Sequence, residues 1–173
     1  MALLKRSEVP TELTWDLTHL FADDKHYESA LSEVIKDGHQ FISQYRDKID
    51  SLDRDGLNTM LDAYNDLIRD LRRVSSYANL ALDVDHTDQE AGRRRLKIAK
   101  VATELQKDLS FLTSDLLALD DSKLAELSAG PYGAYIDFMR RRKPYRFSAE
   151  TERVLEGMSF LHNLPYLAYE AAK

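Results

Sequence analysis

An apolar stripe over residues 57–82 limits the fold more than any other feature of the sequence. Apolar residues recur there at intervals of three and four for about seven turns, which predicts one helix roughly 40 Å long. Residues 98–119 carry a second stripe with the same period. The polar segment 83–88 between the stripes is short, and Asp88 is a suitable N-cap for the second helix. Because a short connection lets both helices bury their stripes only when they run antiparallel, the sequence predicts a long antiparallel helical hairpin.

Shorter helical segments flank this hairpin. An earlier helix is predicted to begin at Asp23 or Asp24, both good N-caps. After the hairpin we predict two short helices, over 121–129 and 132–142, and a last helix with Ser148 as its N-cap. No window alternates in the way a strand does. The predicted fold class is therefore all-α: a long antiparallel helical hairpin plus shorter helices packed as a bundle, with an N-terminal non-helical strap.

The strap is predicted over residues 1–22, which lack a helical period. Pro10 breaks any early helix. An apolar cluster around Trp15 follows, and we expect this Trp to pack on the helical body. Because the remaining chain shows neither an internal repeat nor a low-complexity linker, residues 23–173 are predicted to form a single helical domain.

Composition excludes several classes of protein. The chain has 173 residues, no cysteine and a formal net charge of -6. Without cysteine there is no disulfide scaffold, no thiol nucleophile and no thiolate metal site. The acidic balance argues against nucleic acid as a partner, because phosphate binding needs a basic surface. No stretch approaches the roughly 20 apolar residues that span a bilayer, and no signal peptide is evident, so we expect a cytoplasmic protein without a membrane partner.

No catalytic or metal-binding constellation is found in the sequence. None of the five histidines begins an H-E-x-x-H motif, the helical zinc signature. The pairs Asp23-x-x-His26 and Asp83-x-x-His86 have the spacing of di-iron ligands, but they use the shorter carboxylate and lie at helix boundaries, so we interpret them as caps. Segment 83–88 begins like a calcium loop and then lacks the Gly and Glu that such a loop requires. The sequence therefore predicts no catalytic residue and no metal ligand.

Two basic runs are the remaining candidates for a binding surface. The run 93–95 lies in a first helical turn, where the helix dipole disfavours cations, so an acidic partner surface would explain it. The neighbouring acidic residues Asp88 and Glu90 are the alternative explanation for this first run. The run 140–146 is interleaved with aromatic residues, a pattern that suits a nucleic-acid backbone or a peptide carboxylate. A solvated helix C-terminus is the alternative for this second run. The predicted interaction surface consists of Tyr132, Tyr135, Arg140, Arg142, Tyr145 and Arg146.

Three segments together resemble a known family. The opening reads Arg6-Ser7-Glu8-Val9-Pro10, then Thr14-Trp15-Asp16-Leu17 and Leu20-Phe21. The second segment is Tyr77-Ala78-Asn79-Leu80 with Asp83-Val84-Asp85-His86-Thr87-Asp88, where His86 stands just before the Thr. The third is Lys143-Pro144-Tyr145-Arg146-Phe147-Ser148 with Glu150 and Glu152. In order and spacing they resemble oligoendopeptidase F, a zinc metallopeptidase of the thimet-oligopeptidase-like clan.

The resemblance runs from about Arg6 to Leu155 and implies a role. In this family an N-terminal all-helical domain walls the substrate channel and restricts entry to short, unfolded peptides. The zinc site, H-E-x-x-H with a downstream Glu, lies in the C-terminal catalytic part, and no residue of this sequence matches it. We therefore expect a chain that is inactive alone and holds no cofactor, with zinc in the parent enzyme. The implied partners are the missing C-terminal catalytic domain and short peptides.

A stand-alone helical interaction module is the alternative to a peptidase domain. Apolar and aromatic residues over 132–147 and 161–169 would then form an association surface, and the chain would be a homodimer or another homo-oligomer.

Overall fold

The computed structural model describes most of the chain. The described residues are 8–10, 13, 15–145, 147, 150, 151, 154, 155, 158, 161, 164–166, 168, 169 and 172. The six α-helices within 15–145 are α1 (Asp24–Tyr45), α2 (Arg54–Val84), α3 (Gln89–Leu109), α4 (Phe111–Ala118), α5 (Asp121–Ser128) and α6 (Gly133–Arg142). Short 3-10 turns occupy Leu17–His19, Ile49–Ser51 and Lys143–Tyr145. The described residues include no strand, and the all-α prediction is confirmed. Ser148, the predicted N-cap of a last helix, lies outside the described residues.

Aspartate side chains start several helices, as the sequence predicted. The Asp23 carboxylate accepts a hydrogen bond from the backbone N–H of His26 at 2.9 Å, and Asp88 accepts one from the N–H of Glu90 at 2.8 Å. Asp120 caps α5 in the same way. Each carboxylate satisfies an N–H group that the first helical turn leaves without an intrahelical partner.

The prediction that the second helix of the hairpin continues through its stripe to residue 119 is wrong. Helix α3 begins directly after Asp88, the predicted cap, but it ends at Leu109, and α4 starts at Phe111. At the junction the Ser110 hydroxyl donates to the carbonyl of Lys107 at 2.8 Å. A serine side chain that binds a preceding carbonyl competes with the helical backbone bonds, which explains the break although the apolar period continues across it.

The chain groups into two compact units. The first comprises Met1–Gln44 and Asp62–Leu105, and the second comprises Tyr45–Leu61 and Gln106–Lys173. The division into a strap over 1–22 and one helical domain over 23–173 stays a prediction.

Helices α1 and α2 run antiparallel in the first unit. Near the start of α1, the Tyr27 ring stacks on Tyr77 with 5.1 Å between the ring centroids. Further along α1, Phe41 meets Tyr64, which lies earlier in α2, with centroids 6.0 Å apart. As residue numbers rise along α1, those of the contacting residues in α2 fall.

Helix α3 runs parallel to α1, which confirms the predicted hairpin. Near the start of both helices, the Lys97 ammonium lies 2.6 Å from the Glu28 carboxylate. Further along both, Gly38 lies against the side chain of Leu105. Since α2 opposes α1 and α3 follows it, α2 and α3 are antiparallel across the short connection that joins them.

An aromatic cluster of Phe21, Tyr27 and Tyr77 fills one end of the first unit. The Phe21 ring meets both tyrosine rings edge-on, with centroids 5.8 Å from Tyr27 and 5.4 Å from Tyr77. The Arg94 guanidinium lies over both tyrosine rings and 2.6 Å from the Asp24 carboxylate. Only 14% of the Arg94 side chain is exposed. The cluster therefore joins all three helices of this unit through ring packing and one ion pair, in which the cation is largely buried and the carboxylate is exposed.

The expected packing of Trp15 on the helical body is wrong. Trp15 is 66% exposed, whereas Phe21 is only 6% exposed. Arg73 lies 4.6 Å from the Phe21 ring centroid and donates to the carbonyl of Leu20 at 2.5 Å. The anchor of the N-terminal segment is thus the smaller aromatic residue next to α1.

The two stacked tyrosines differ in one respect that mutagenesis tests. The Tyr27 hydroxyl is buried and has no hydrogen-bond partner among the described residues, whereas the Tyr77 hydroxyl donates to Asp24 at 3.0 Å. Replacing Tyr27 by Phe removes an unsatisfied group, so we expect the free energy of unfolding to rise by about 1 kcal/mol. Tyr77→Phe, the matched variant, should lower it by about 1 kcal/mol because a hydrogen bond is lost. Urea unfolding measures both changes.

Alkaline titration provides the control for this pair. Burial raises the pKa of Tyr27 to about 12, from an ordinary value of 10.0. The unfolded chain therefore ionises this tyrosine at lower pH than the folded chain does, and stability falls between pH 10 and 12. Tyr27→Phe should flatten the decline across that window. An unchanged slope would contradict the assigned burial of this hydroxyl.

Two glycines form a second pair of test positions, because replacing them by alanine should change the free energy of unfolding in opposite directions. A Cβ on Gly133 would lie 2.1 Å from the carbonyl oxygen of Ser128, and a Cβ on Gly92 would meet nothing within 4 Å. Gly133→Ala must displace the backbone and should lower the free energy of unfolding by about 2 kcal/mol. Gly92→Ala should raise it by about 0.5–1 kcal/mol, since alanine favours the helix. Thermal melting of both variants checks the prediction, and equal effects would contradict the close approach at Gly133.

Candidate interaction surface

Helix α6 positions the predicted surface residues in the second unit. Its buried residues are Gly133, Ile136 and Met139, at the helical spacing of three. Residues such as Phe138 and Arg142, four apart, lie on the exposed side of the same helix. One face of α6 is therefore fixed in the core of this unit, and the opposite face carries aromatic and cationic side chains to the surface.

The turn before α6 holds the helix close to α5. The N–H of Gly133 donates to the carbonyl of Gly130 at 3.0 Å, and the Gly133 backbone lies directly against Ser128. The Ser128 hydroxyl then donates to the carboxylate of Asp137 at 2.8 Å, one turn further along α6. A side chain at Gly133 would prevent this approach, so the glycine is required by space.

A groove of about 350 Å³ opens beside α6. We call it the α6 groove. The residues that define it are the buried Leu117 and Met139, the half-buried Thr113 and the exposed Phe138, Arg142, Tyr145, Phe147 and Leu155. The Arg142 guanidinium carbon lies 5.3 Å from the centroid of the Phe138 ring, a cation–π contact. The groove is thus apolar within and bordered by one cation and three aromatic rings, a composition that accepts an apolar side chain next to an acidic or carbonyl oxygen.

The structure brings together only part of the predicted set. Arg142 and Tyr145 line the α6 groove, whereas Tyr132 is half-buried directly before α6 and Tyr135 is exposed away from the groove lining. Arg140 lies 3.9 Å from the Asp137 carboxylate, with which it forms an exposed ion pair. Arg146 lies outside the described residues.

The six predicted surface residues did not include Leu117, Met139, Phe138 or Phe147, although the two phenylalanines belong to the aromatic residues over 132–147 that were predicted to form an association surface. Phe138 could have been found, because it precedes Arg142 by four residues and thus lies on the same helical face. Leu117 comes from α4, and only the packing of α4 beside α6 places it in the groove. Whether these residues bind a partner stays a prediction.

The two basic runs have different surroundings. In the first run, Arg94 is held within the aromatic cluster and Arg93 pairs with Glu90 in the same helical turn. Those contacts explain two of the three arginines of the run without a partner. In the second run, three arginines occupy the last turn of α6, where the helix dipole favours positive charge. The only carboxylate that the described residues place beside α6's arginines is that of Asp137, so this end of the helix is strongly cationic.

The described residues do not fit a zinc centre. They bring no three His, Asp or Glu side chains into a group that could hold a metal ion. The closest carboxylate–imidazole pair, Asp23 and His26, serves the start of α1, with 2.7 Å between the carboxylate and the imidazole nitrogen. Hydrogen bonds from His26, the backbone one foremost, hold the pKa of Asp23 below its usual value. None of the helices in the described part is both long and apolar enough to cross a bilayer.

Three curated proteins are similar to the chain over most of its length. The oligoendopeptidase F homolog of Borreliella burgdorferi is 24% identical over 164 residues, which cover 92% of this chain and 27% of that protein. The group B oligopeptidase PepB of Streptococcus agalactiae is 26% identical over 162 residues, covering 89% and 26%. The oligopeptidase PepF of Bacillus subtilis is 24% identical over 160 residues, covering 89% and 23%. No family model matches the chain.

A solved structure shares the fold. The crystal structure of a Chlamydophila abortus protein described as a peptidase superposes with a TM-score of 0.68 at 22% identity, over 96% of this chain and 29% of that one. The chain therefore spans about a quarter of the length of the curated relatives it matches. The resemblance predicted from three sequence segments is confirmed: the chain is homologous to the N-terminal part of oligoendopeptidase F and PepF peptidases.

Proposed function

We propose that the chain is the N-terminal, non-catalytic domain of an oligoendopeptidase F-like zinc metallopeptidase that hydrolyses short peptides. In this proposal it helps to wall the substrate channel, in the cytoplasm. The observation that carries the proposal is the extent of the similarity, about nine tenths of this chain but only a quarter of each relative. A segment with that coverage corresponds to one part of a longer enzyme.

In this proposal the catalytic residues lie outside this chain, because the sequence of the chain lacks the zinc motif. The sequence contains no H-E-x-x-H motif, and the described residues gather no metal-ligand group. Peptide hydrolysis by this class of enzyme uses a zinc-activated water. We assign the zinc, its ligands and the reacting atoms to polypeptide outside the matched segment. This chain's residues contribute shape and access.

The helices of the first unit have the length and support that the wall of a substrate channel requires. Helix α2 has 31 residues, which corresponds to roughly 46 Å of regular helix. Along the first unit it is held by ring contacts at both Tyr77 and Tyr64, so it is supported at more than one point. Side chains that are packed at several levels resist displacement, and a boundary that selects substrates by size needs that stiffness.

A stand-alone association module is the second candidate function. Exposed apolar side chains on the second unit favour it, among them Phe138 and Tyr145. Such a module would self-associate as an isolated chain and would show no effect on any peptidase.

Replacement within a relative tests the proposal. The matched segment of Bacillus subtilis oligopeptidase PepF is exchanged for this chain, and the chimera is compared with PepF from which the segment is deleted. We expect the chimera to cleave a short peptide in a zinc-dependent manner and to prefer it over a long unfolded polypeptide by about tenfold or more in kcat/KM. The deletion should lose that preference, because the wall is missing.

The isolated 173-residue chain is the control. It should cleave neither substrate with zinc present. Zinc-dependent cleavage by this chain alone would contradict the non-catalytic assignment. A chimera that cleaves long and short substrates equally would contradict the wall.

A further inference from the structure

Exposed apolar side chains are concentrated in one part of the chain. Eleven of the fourteen large apolar residues that are exposed in the described part lie between residues 135 and 169. Monomeric proteins rarely expose apolar residues in such a group unless the surface meets something. All eleven belong to the second unit, and four of them line the α6 groove: Phe138, Tyr145, Phe147 and Leu155.

The groove has the size and lining of an anchor site. A volume of about 350 Å³ holds one or two inserted side chains rather than a folded element. The buried Leu117 and Met139 offer apolar contact, and the rim supplies flat aromatic surface. Interfaces between polypeptides are commonly centred on such an anchor in a pocket.

Charge narrows the choice of occupant. The cationic end of α6, Arg140 to Lys143, is exposed beside the groove. A symmetric dimer through this face would bring the same cations of two copies together, and like charges in an interface are costly. An occupant with acidic side chains around its apolar anchor is complementary instead. The groove therefore favours a different polypeptide over a second copy of this chain.

The length of the relatives indicates which polypeptide occupies the groove. The relatives extend for about three quarters of their length outside the segment matched by this chain. We propose that the α6 groove docks the catalytic portion of the oligoendopeptidase F-like enzyme, through an apolar or aromatic anchor with acidic neighbours. This inference rests on the proposed function, which it deepens by naming the surface that joins the two portions.

Cysteine labelling locates the docking surface. The chain has no cysteine, so a single introduced thiol reports its own position. Tyr145, at the groove rim, is 85% exposed, and Leu96, on α3 in the first unit, is 74% exposed, which makes Leu96 the matched control. Tyr145→Cys and Leu96→Cys are each made in the isolated chain and in the PepF chimera. Maleimide labelling is followed by mass spectrometry of the peptide that carries each thiol.

Docking predicts protection at one site only. We expect Tyr145→Cys to react about tenfold or more slowly in the chimera than in the isolated chain, and Leu96→Cys to react at the same rate in both. Adding Arg142→Glu to the Tyr145→Cys chimera should restore labelling, because the charge of the cation that borders the groove is reversed. Arg95→Glu, an exposed charge reversal on α3, should leave the protection unchanged. Thermal melting confirms that each variant is folded.

The remaining outcomes separate this inference from the proposed function. If the chimera selects short peptides but Tyr145→Cys labels as fast as in the isolated chain, docking at the groove is wrong and the proposed function stands. If Tyr145→Cys is protected in a chimera without activity, the docking surface is supported and the proposed function is not. Protection that appears in the isolated chain as its concentration rises would identify a second copy as the occupant and overturn the inference. Loss of both activity and protection would overturn both.

Discussion

One largely buried cation holds the first unit together. Arg94 comes from α3, lies on the faces of Tyr27 in α1 and Tyr77 in α2, and pairs with Asp24 at the start of α1. Removing a guanidinium from water is costly, and only a carboxylate and ring faces in the right places offset that cost. Because the three helices each supply part of this surrounding, the contact is satisfied in one register of the bundle. The ion pair therefore contributes to which arrangement forms, beyond any contribution to stability.

Much of the fold could be predicted because it depends on short-range rules. The long stripe that became α2 and the capping aspartates are local signals, and each acts within a few residues. The break at Ser110 was missed because an apolar period reports which side of a helix is buried, and that side continues from α3 into α4. Phe21 was passed over for Trp15 because the larger ring has more surface to bury, whereas Phe21 lies closer to the rings and cation that receive it.

The candidate surface was harder to predict. Arg142 and Tyr145 could be associated from sequence because they are three residues apart at a helix end. Tyr135 and Arg140 belong to the same short helix, but a helix turns by about 100° per residue, so neighbours in sequence point away from one another. Leu117 could not be found, since it reaches the groove only through the packing of another helix. The family itself was predictable because three separated segments kept their order and spacing.

A backbone contact places helix α6 against helix α5. The contact that brings α6 to α5 is between Gly133 and the main chain of Ser128. Of the buried residues of α6, only Met139 also lines the groove. Fold and recognition are therefore carried by sets of residues that share only Met139 on a single ten-residue helix. Substitutions on the outer face can alter what the groove accepts while the inner face keeps its position. Related proteins that share this backbone can therefore differ in what they bind while they keep the same fold.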